Sequence, residues 1–278
     1  MATAAQIEES RRLIEQQDAA RQKAVAAAVA LAVASTREFD QWYSTAAITA
    51  WALRLALGIE AIQRNLARQT DAFLARQSSL ITGRAVRPVG AVDVSKLRQG
   101  ITHPGAYGRV ADQYRYQQSL IEDAEADIQD AIEAAVERAA EVAEMDAALA
   151  VRGQSQKFMA AQQRVIGYRR MIHPELSEGG SCGMCIVAST RLYKKAELMP
   201  IHLRCKCLPF PVYAGSDPGG AINDADLERL YAEAGGKQAA ELKNTRYKVD
   251  QHGELGPVLN RAGAAFRTAD DVETDERP

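Results

Sequence analysis

Two long stretches of the chain, residues 4–35 and 44–82, contain no proline and carry apolar residues at helical spacing. In the second stretch these residues recur every three or four positions, which places on one helix face Ile48, Trp51, Leu55, Ile62, Leu66 and Phe73. The chain is 47% hydrophobic but only 6% aromatic, because alanine supplies much of the apolar content. Such a composition favours helices packed through small residues, so the sequence predicts a helical hairpin.

The regular pattern stops between Gly83 and Gly108, where two prolines and five glycines predict a connector with an extended segment. We expect helix to resume near Val110. Residues 122–146 again keep helical spacing and contain ten acidic residues against one basic residue, Arg138. This charge predicts either a solvated face or an electrostatic docking surface for a basic partner.

Residues 167–213 are rich in glycine, proline and other turn formers, and they predict a compact unit of loops and short strands. Asp224 is predicted to cap a following short helix, and the acidic end of the chain is predicted to be disordered. The expected fold class is mainly α, with three parts in chain order. These are an elongated helical half (1–165), a small α+β module (166–215), and a C-terminal helix with a partly disordered acidic tail (216–278).

All four cysteines lie within 26 residues, in two groups that resemble metal-binding turns. Cys182 and Cys185 have the spacing of a zinc knuckle, and His202 precedes Cys205 by three residues, with Cys207 just beyond. Zinc takes four ligands, so one of these five candidates is spare. The spacing predicts a structural Zn²⁺ site that uses the first three cysteines and either Cys207 or His202.

Local charge agrees with a site built from thiolates. Residues 167–213 contain seven basic and three acidic side chains, a net charge of +4, whereas the whole chain carries −2. Cations beside thiolates hold the charged form that binds a metal. Two other interpretations of the cysteines stay open: disulfides formed in an oxidising environment, and a catalytic metal or thiol.

The order CxxC followed by HxxCxC and proline resembles the Mu F-like domain of phage minor head proteins. The wider strings GYRRMIHPELSEGGSCGMC and LMPIHLRCKCLPFPV, with HGELGPVL at 252–259, resemble versions from phages of actinobacteria. This resemblance covers residues 165–260. It implies a structural protein of the virion head, associated with the portal and acting in head assembly or in DNA packaging and ejection. It also carries over, as metal-site residues, Cys182, Cys185, His202, Cys205 and Cys207.

The portal and other head proteins are the expected partners, with packaged DNA as a further candidate and no small-molecule substrate. The most apolar stretch, residues 24–34, is too short to span a bilayer, so we expect a soluble protein. The resemblance implies that it belongs to the virion and, during assembly, to the host cytoplasm. Two enzymatic alternatives remain. A capsid maturation protease would have to pair His173 with Ser177 or Ser181, and a zinc-dependent nuclease or nucleic-acid-binding protein would draw on the local positive charge.

Overall fold

The computed structural model describes residues 2–120, 127–172, 183–195, 207–234, 247–252 and 255–261. Over these residues the protein is mainly helical, as the sequence predicts. In chain order the helices and strands are α1 (Ala4–Arg37), α2 (Thr45–Thr82), α3 (His103–Ser119), α4 (Asp127–Ala161), β1 (Val165–Met171), α5 (Gly183–Ser189), β2 (Leu208–Tyr213), α6 (Pro218–Ala234), β3 (Tyr247–His252) and β4 (Gly256–Arg261). Helices α1 to α4 pack on one another and form the helical body.

Both long N-terminal helices lie where the absence of proline and the apolar spacing predict them. The side chain of Thr3 caps α1, and that of Ser44 caps α2 by accepting from the backbone N–H of Ala47. Gly83 ends α2 with a φ of +64°, a left-handed conformation that favours glycine. The caps therefore fix the bounds of both helices from local sequence alone.

The predicted apolar stripe of α2 packs inside the helical body. Ile48, Trp51, Leu55 and Leu66 are all buried, and α2 contacts α1, α3 and α4. Among the described residues, α2 is also the one helix that is long and apolar enough to span a membrane by length and composition. A core helix of a helical assembly has the same two properties, so this finding does not distinguish the two environments.

Helix α3 begins seven residues before the position that the sequence predicted, at His103 instead of near Val110. Thr102 caps it, because its side chain accepts a hydrogen bond from the backbone of Gly105 at 3.2 Å. Pro104 therefore occupies the first turn of the helix, where a missing N–H costs no hydrogen bond. The prediction treated this proline as a helix breaker and was wrong at this point.

The connector between α2 and α3 is extended, as predicted, but it pairs with no strand in the part of the chain that the structure describes. Side chains from two helices take the place of a neighbouring strand. Asp71 of α2 accepts hydrogen bonds from the backbone N–H groups of Val89 and Gly90, at 3.1 and 2.7 Å. Gln154 of α4 accepts from the N–H of Val92 at 2.7 Å and donates to the carbonyl of Gly90 at 3.1 Å. The connector is thus fixed across α2 and α4.

Strands β1 and β2 form one antiparallel ribbon, and β3 and β4 form another. The first ribbon shares its apolar core with the helical body, since Leu208 and Phe210 belong to the same buried cluster as Leu66 and Phe158. The core is therefore continuous across residue 165, where the sequence places the end of the helical domain. The division into domains stays a prediction, but the elements on its two sides are packed together.

Helix α6 begins at Pro218, before the cap that the sequence predicted. Its first turn is capped by Asp217, whose Oδ1 accepts from the N–H of Gly220 at 2.9 Å. Asp224 lies within the helix, so the prediction of its capping role was wrong. The predicted helix exit at Gly235 and the acidic tail lie outside the described residues.

Candidate metal centre

The β1–β2 ribbon closes the chain segment that carries the cysteines. Its antiparallel register ends with the pair Met171 and Leu208. Ile172 leaves one strand at this point and Cys207 enters the other, so the two ends of the segment lie side by side. Helix α5 belongs to this segment and packs on β1. Every position at which the sequence predicts a metal ligand therefore falls in the chain segment between β1 and the start of β2.

Cys207 lies against a buried cation. Arg170 of β1 is fully buried, and its Nε donates a hydrogen bond to Sγ of Cys207 at 3.1 Å. A guanidinium out of water requires a negative or strongly polar partner, because desolvation of the charge is costly. Such a cation favours the thiolate form of a cysteine, which is also the form that binds a metal. The contact is therefore what a thiolate site would require.

Cys185 lies on the first turns of α5, where it is 5% exposed. It packs in a small apolar cluster with Ile172, Ile186 and Leu227. The cluster places this cysteine between the end of β1 and helix α6. A cysteine buried in apolar surroundings is typically unreactive, which suits a structural role better than a reactive one.

The structure describes two of the five predicted ligands. Cys185 and Cys207 are both buried, whereas Cys182, His202 and Cys205 lie outside the described residues. Within the described ranges, no three histidine, cysteine or acidic side chains come together as a group that could hold a metal. The predicted ligand set is thus seen only at its two described positions.

These two positions fit zinc by the chemistry of their donors. Structural zinc sites use thiolates, and four thiolates around Zn²⁺ leave a net charge of −2 that needs compensation. Arg170, buried against Cys207, supplies a positive charge at the edge of such a site. Outer contacts of this kind orient ligands and tune the metal. Cys185 and Cys207 would each supply one sulfur.

Known proteins give no second line of evidence. No protein-family model, curated protein or solved structure matches this chain. The resemblance to the Mu F-like domain therefore stays a prediction that depends on the residues quoted for it.

A second polar cluster lies inside the helical body. Asp146 of α4 is fully buried, although the sequence counted it with the acidic surface of this helix. Its carboxylate accepts from Nε of Arg98 at 2.8 Å and from the hydroxyl of Tyr107 at 2.9 Å. The ring of buried His103 lies between two carboxylates, with Nε2 3.4 Å from Asp146 Oδ1 and Nδ1 3.6 Å from Glu60 Oε1. The cluster joins α2, α3, α4 and the connector.

This second cluster is suited to holding helices together rather than to chemistry on a substrate. Burial, reinforced by the negative charge of Asp146, raises the pKa of Tyr107 well above its usual value, so the hydroxyl stays a donor. The cavity that reaches Arg98 has a volume of about 20 Å³. That volume holds a water molecule but not a substrate.

An open groove of about 470 Å³ runs beside the first ribbon. Its lining is mostly apolar and includes Ile166 and Leu192, which are about half exposed. Among the described residues of the lining Asp217 is the one that carries a charge, and its Oδ2 accepts from Arg169 at 2.8 Å. An acidic group already held by an arginine and by the cap of α6 is poorly placed to act as a general base.

Sequence reasoning missed the specific part that Arg170 takes. It counted Arg169 and Arg170 together as local positive charge. Neighbouring side chains of a strand point to opposite faces, so the first pairs with Asp217 near the surface and the second lies in the core beside Cys207. The strand period could have separated the two arginines, but it could not show which of them meets a sulfur.

Proposed function

We propose that the chain is a structural minor head protein of a tailed phage, associated with the portal, whose cysteine segment is held by one structural Zn²⁺. The helical body supplies contact surface, and the metal fixes the closed segment beside it. In this proposal Cys182, Cys185 and Cys205 bind zinc and Cys207 is the fourth ligand, with His202 nearby.

One observation carries the metal part of the proposal, the contact between buried Arg170 and Cys207 Sγ at 3.1 Å. A cation beside the sulfur favours the thiolate form of Cys207, which is the form that binds zinc. The resemblance of residues 165–260 to the Mu F-like domain supports the phage part. Both supports meet in the same segment of the chain.

The proposed docking surface is the exposed side of α4. Asp130, Glu133 and Glu137 are exposed on this helix, in contrast to Asp146, and they line a shallow groove. Glu133 already pairs with Arg37 at 3.2 Å, which leaves Asp130 and Glu137 as the side chains that offer most negative charge to a partner. Like-signed charges on one face steer a partner of opposite charge at low salt.

Zinc content tests the metal part. Full-length recombinant protein purified under reducing conditions should contain about one zinc per chain. Cys185→Ser and Cys207→Ser should each lower this content, while Thr190→Ala, an exposed hydroxyl just after α5, should leave it unchanged. A folded wild-type protein without zinc would overturn this part of the proposal.

Particle composition tests the phage part. Quantitative mass spectrometry of purified particles, from the phage whose genome encodes the chain, should find it in the head at low copy number. Its absence from complete heads would overturn the assignment. Co-expression with the portal protein tests the partner, and the full chain should be recovered bound to it.

The charge of α4 is tested in the same complex. Asp130→Lys combined with Glu137→Lys should weaken binding to the portal by about tenfold or more at low salt and by less at high salt. The matched control is Glu8→Lys with Glu15→Lys, which reverses two exposed acids of α1. Equal affinity of the two double variants would make the acidic face of α4 a solvated surface only.

A further inference from the structure

Helix α6 packs on β1, on β2 and on the cluster that contains Cys185, although the sequence places it outside the metal-binding module. One face of the helix is buried, and it carries Asn223, Asp226 and Leu227. These positions are three and four residues apart, so their side chains project to the same side. That side faces β1, α5 and α1 and makes hydrogen bonds, apolar contacts and an ion pair with them.

Asn223 makes the polar contact to the metal-binding module. Its Nδ2 donates to the carbonyl of Arg170 at 2.9 Å and to the carbonyl of Ser189 at 3.1 Å. All three residues are at most 2% exposed. Arg170 donates to Cys207, and Ser189 ends the helix that carries Cys185. One amide group therefore bonds to a residue that contacts one cysteine and to the helix that carries the other. Deleting it would leave two buried carbonyls without this donor.

Leu227 makes the apolar contact. It packs with Cys185, Ile172 and Ile186 in one buried cluster. Leu230 and Tyr231, one turn further along α6, lie partly buried against the same cluster. The helix therefore forms the wall against which α5 and its cysteine rest.

Helix α6 is in turn fixed to the helical body. Asp226, which is 1% exposed, accepts from Arg11 of α1 at 3.0 Å and from Arg229 at 3.1 Å. Near the start of the helix, Gly219 lies so close to Phe210 that an added Cβ would come within 2.8 Å of the ring. The helix is thus a fixed support rather than an appendage.

We propose that α6 belongs to the metal centre and that Asn223 is a positioning residue for its thiolates, acting through Arg170 and through the end of α5. This inference rests on the proposed zinc site and deepens it. Residues that orient metal ligands without touching the metal typically change metal affinity by about 10- to 100-fold when they are removed. Asn223 holds the two supports at a fixed separation, which the ligands need before the metal arrives.

The test compares Asn223→Ala with Asn65→Ala in the full chain. Asn65 is an exposed asparagine of α2, so its substitution makes the same chemical change away from the site. Zinc affinity is measured by competition with a chromophoric chelator, and Co²⁺ substitution reports thiolate coordination through its charge-transfer absorption. Asn223→Ala should weaken zinc binding about 10- to 100-fold and reduce this absorption, while Asn65→Ala changes neither.

A helical circular dichroism signal equal to that of the wild type must accompany the loss. If Asn223→Ala fails to fold, Asn223→Ser serves instead, since its hydroxyl keeps one donor and should give an intermediate affinity. Wild-type affinity and an unchanged Co²⁺ spectrum in a folded Asn223 variant would overturn the inference and leave the zinc site standing.

Alkylation of the metal-free protein separates this result from a failure of the proposed function. Iodoacetamide labelling of Cys185 and Cys207, followed by peptide mass spectrometry, should be about tenfold faster in Asn223→Ala than in the wild type. The variant no longer holds the end of α5, which carries Cys185, or the strand whose Arg170 contacts Cys207. If the wild type binds neither Zn²⁺ nor Co²⁺, the metal-positioning role falls with the proposed function. Equal labelling rates would overturn the role of α6 in holding the cysteines.

Discussion

Arg98 donates from Nε to Oδ1 of Asp146 over 2.8 Å, and both side chains are at most 1% exposed within the helical body. Arg98 lies in the connector shortly before α3, and Asp146 lies on α4. This ion pair therefore fixes the end of the connector to α4. The main effect of a buried ion pair is that removing either partner leaves an uncompensated charge in the core, which strongly destabilises the fold.

Arg98→Met should therefore destabilise the protein by about 3 kcal/mol, since it leaves the carboxylate of Asp146 buried beside Tyr107 and His103 without its arginine partner. Combining it with Asp146→Asn, which also removes the negative charge, should cost less than the two single changes added together. Denaturant unfolding measures all three. The control Lys96→Met breaks an exposed ion pair with Asp93 and should match the wild type. Additive costs would contradict a coupled pair.

We expect the free energy of unfolding to fall in alkaline solution because of Tyr107. Burial and the charge of Asp146 raise the pKa of its hydroxyl in the folded state above the value of about 10 in the unfolded state. The resulting stabilisation is complete below pH 10 and is lost as the pH rises beyond it. The free energy of unfolding should thus fall more steeply above about pH 10 in the wild type than in Tyr107→Phe. Parallel curves for the two proteins would show that this hydroxyl does not contribute.

Asp71 should hold the connector in its extended conformation. Asp71→Ala removes the acceptor for the N–H groups of Val89 and Gly90, so these amides should exchange with solvent faster and stability should fall by about 1–3 kcal/mol. Gln69→Ala, an exposed change two residues earlier on α2, is the control. Hydrogen exchange followed by mass spectrometry makes the comparison. Unchanged exchange in the peptide that contains Val89 would mean that other contacts hold the connector.

Two glycines should respond to alanine with opposite signs. Gly219→Ala brings a Cβ within 2.8 Å of Phe210 and 3.3 Å of Met171 Sδ, and it should destabilise the protein by about 1–3 kcal/mol. Gly108 lies on α3 with nothing within 4 Å of an added Cβ, so Gly108→Ala should stabilise it by about 0.5–1 kcal/mol. Thermal unfolding of both variants gives the comparison. A neutral Gly219→Ala would show that β2 and α6 can separate at little cost.

Local signals made much of the helical body predictable. The stripe from Ile48 to Phe73 indicates one buried face, and Gly83 marks its end, because both depend on residues within a few positions of each other. The start of α3 was missed since a proline at a first helical turn and a proline in a loop look alike until the cap is known. Thr102 was the signal that could have resolved it.

Of the residues described at the candidate site, the sequence predicted only the cysteines. The clustering of the cysteines indicates a metal, but three of the predicted ligands lie outside the described residues, and the zinc itself remains a prediction. Asn223 escaped attention because an asparagine within a helix carries no spacing signal. Its role follows from two carbonyls that the chain brings to it from positions 53 and 34 residues away.

The sequence by itself determined the two long N-terminal helices, which face of α2 is apolar, and where the cysteines are concentrated. Only the tertiary structure decided that Asp146 is a core residue while Asp130 is a surface one, that Arg170 contacts Cys207, and that Asn223 of α6 donates to the carbonyls of Arg170 and Ser189. The physical reason is that periodicity shows which side of an element avoids water but not which element covers it. The same residue type can be buried or exposed. A charged side chain can be buried only where the fold brings it a partner from a distant part of the chain.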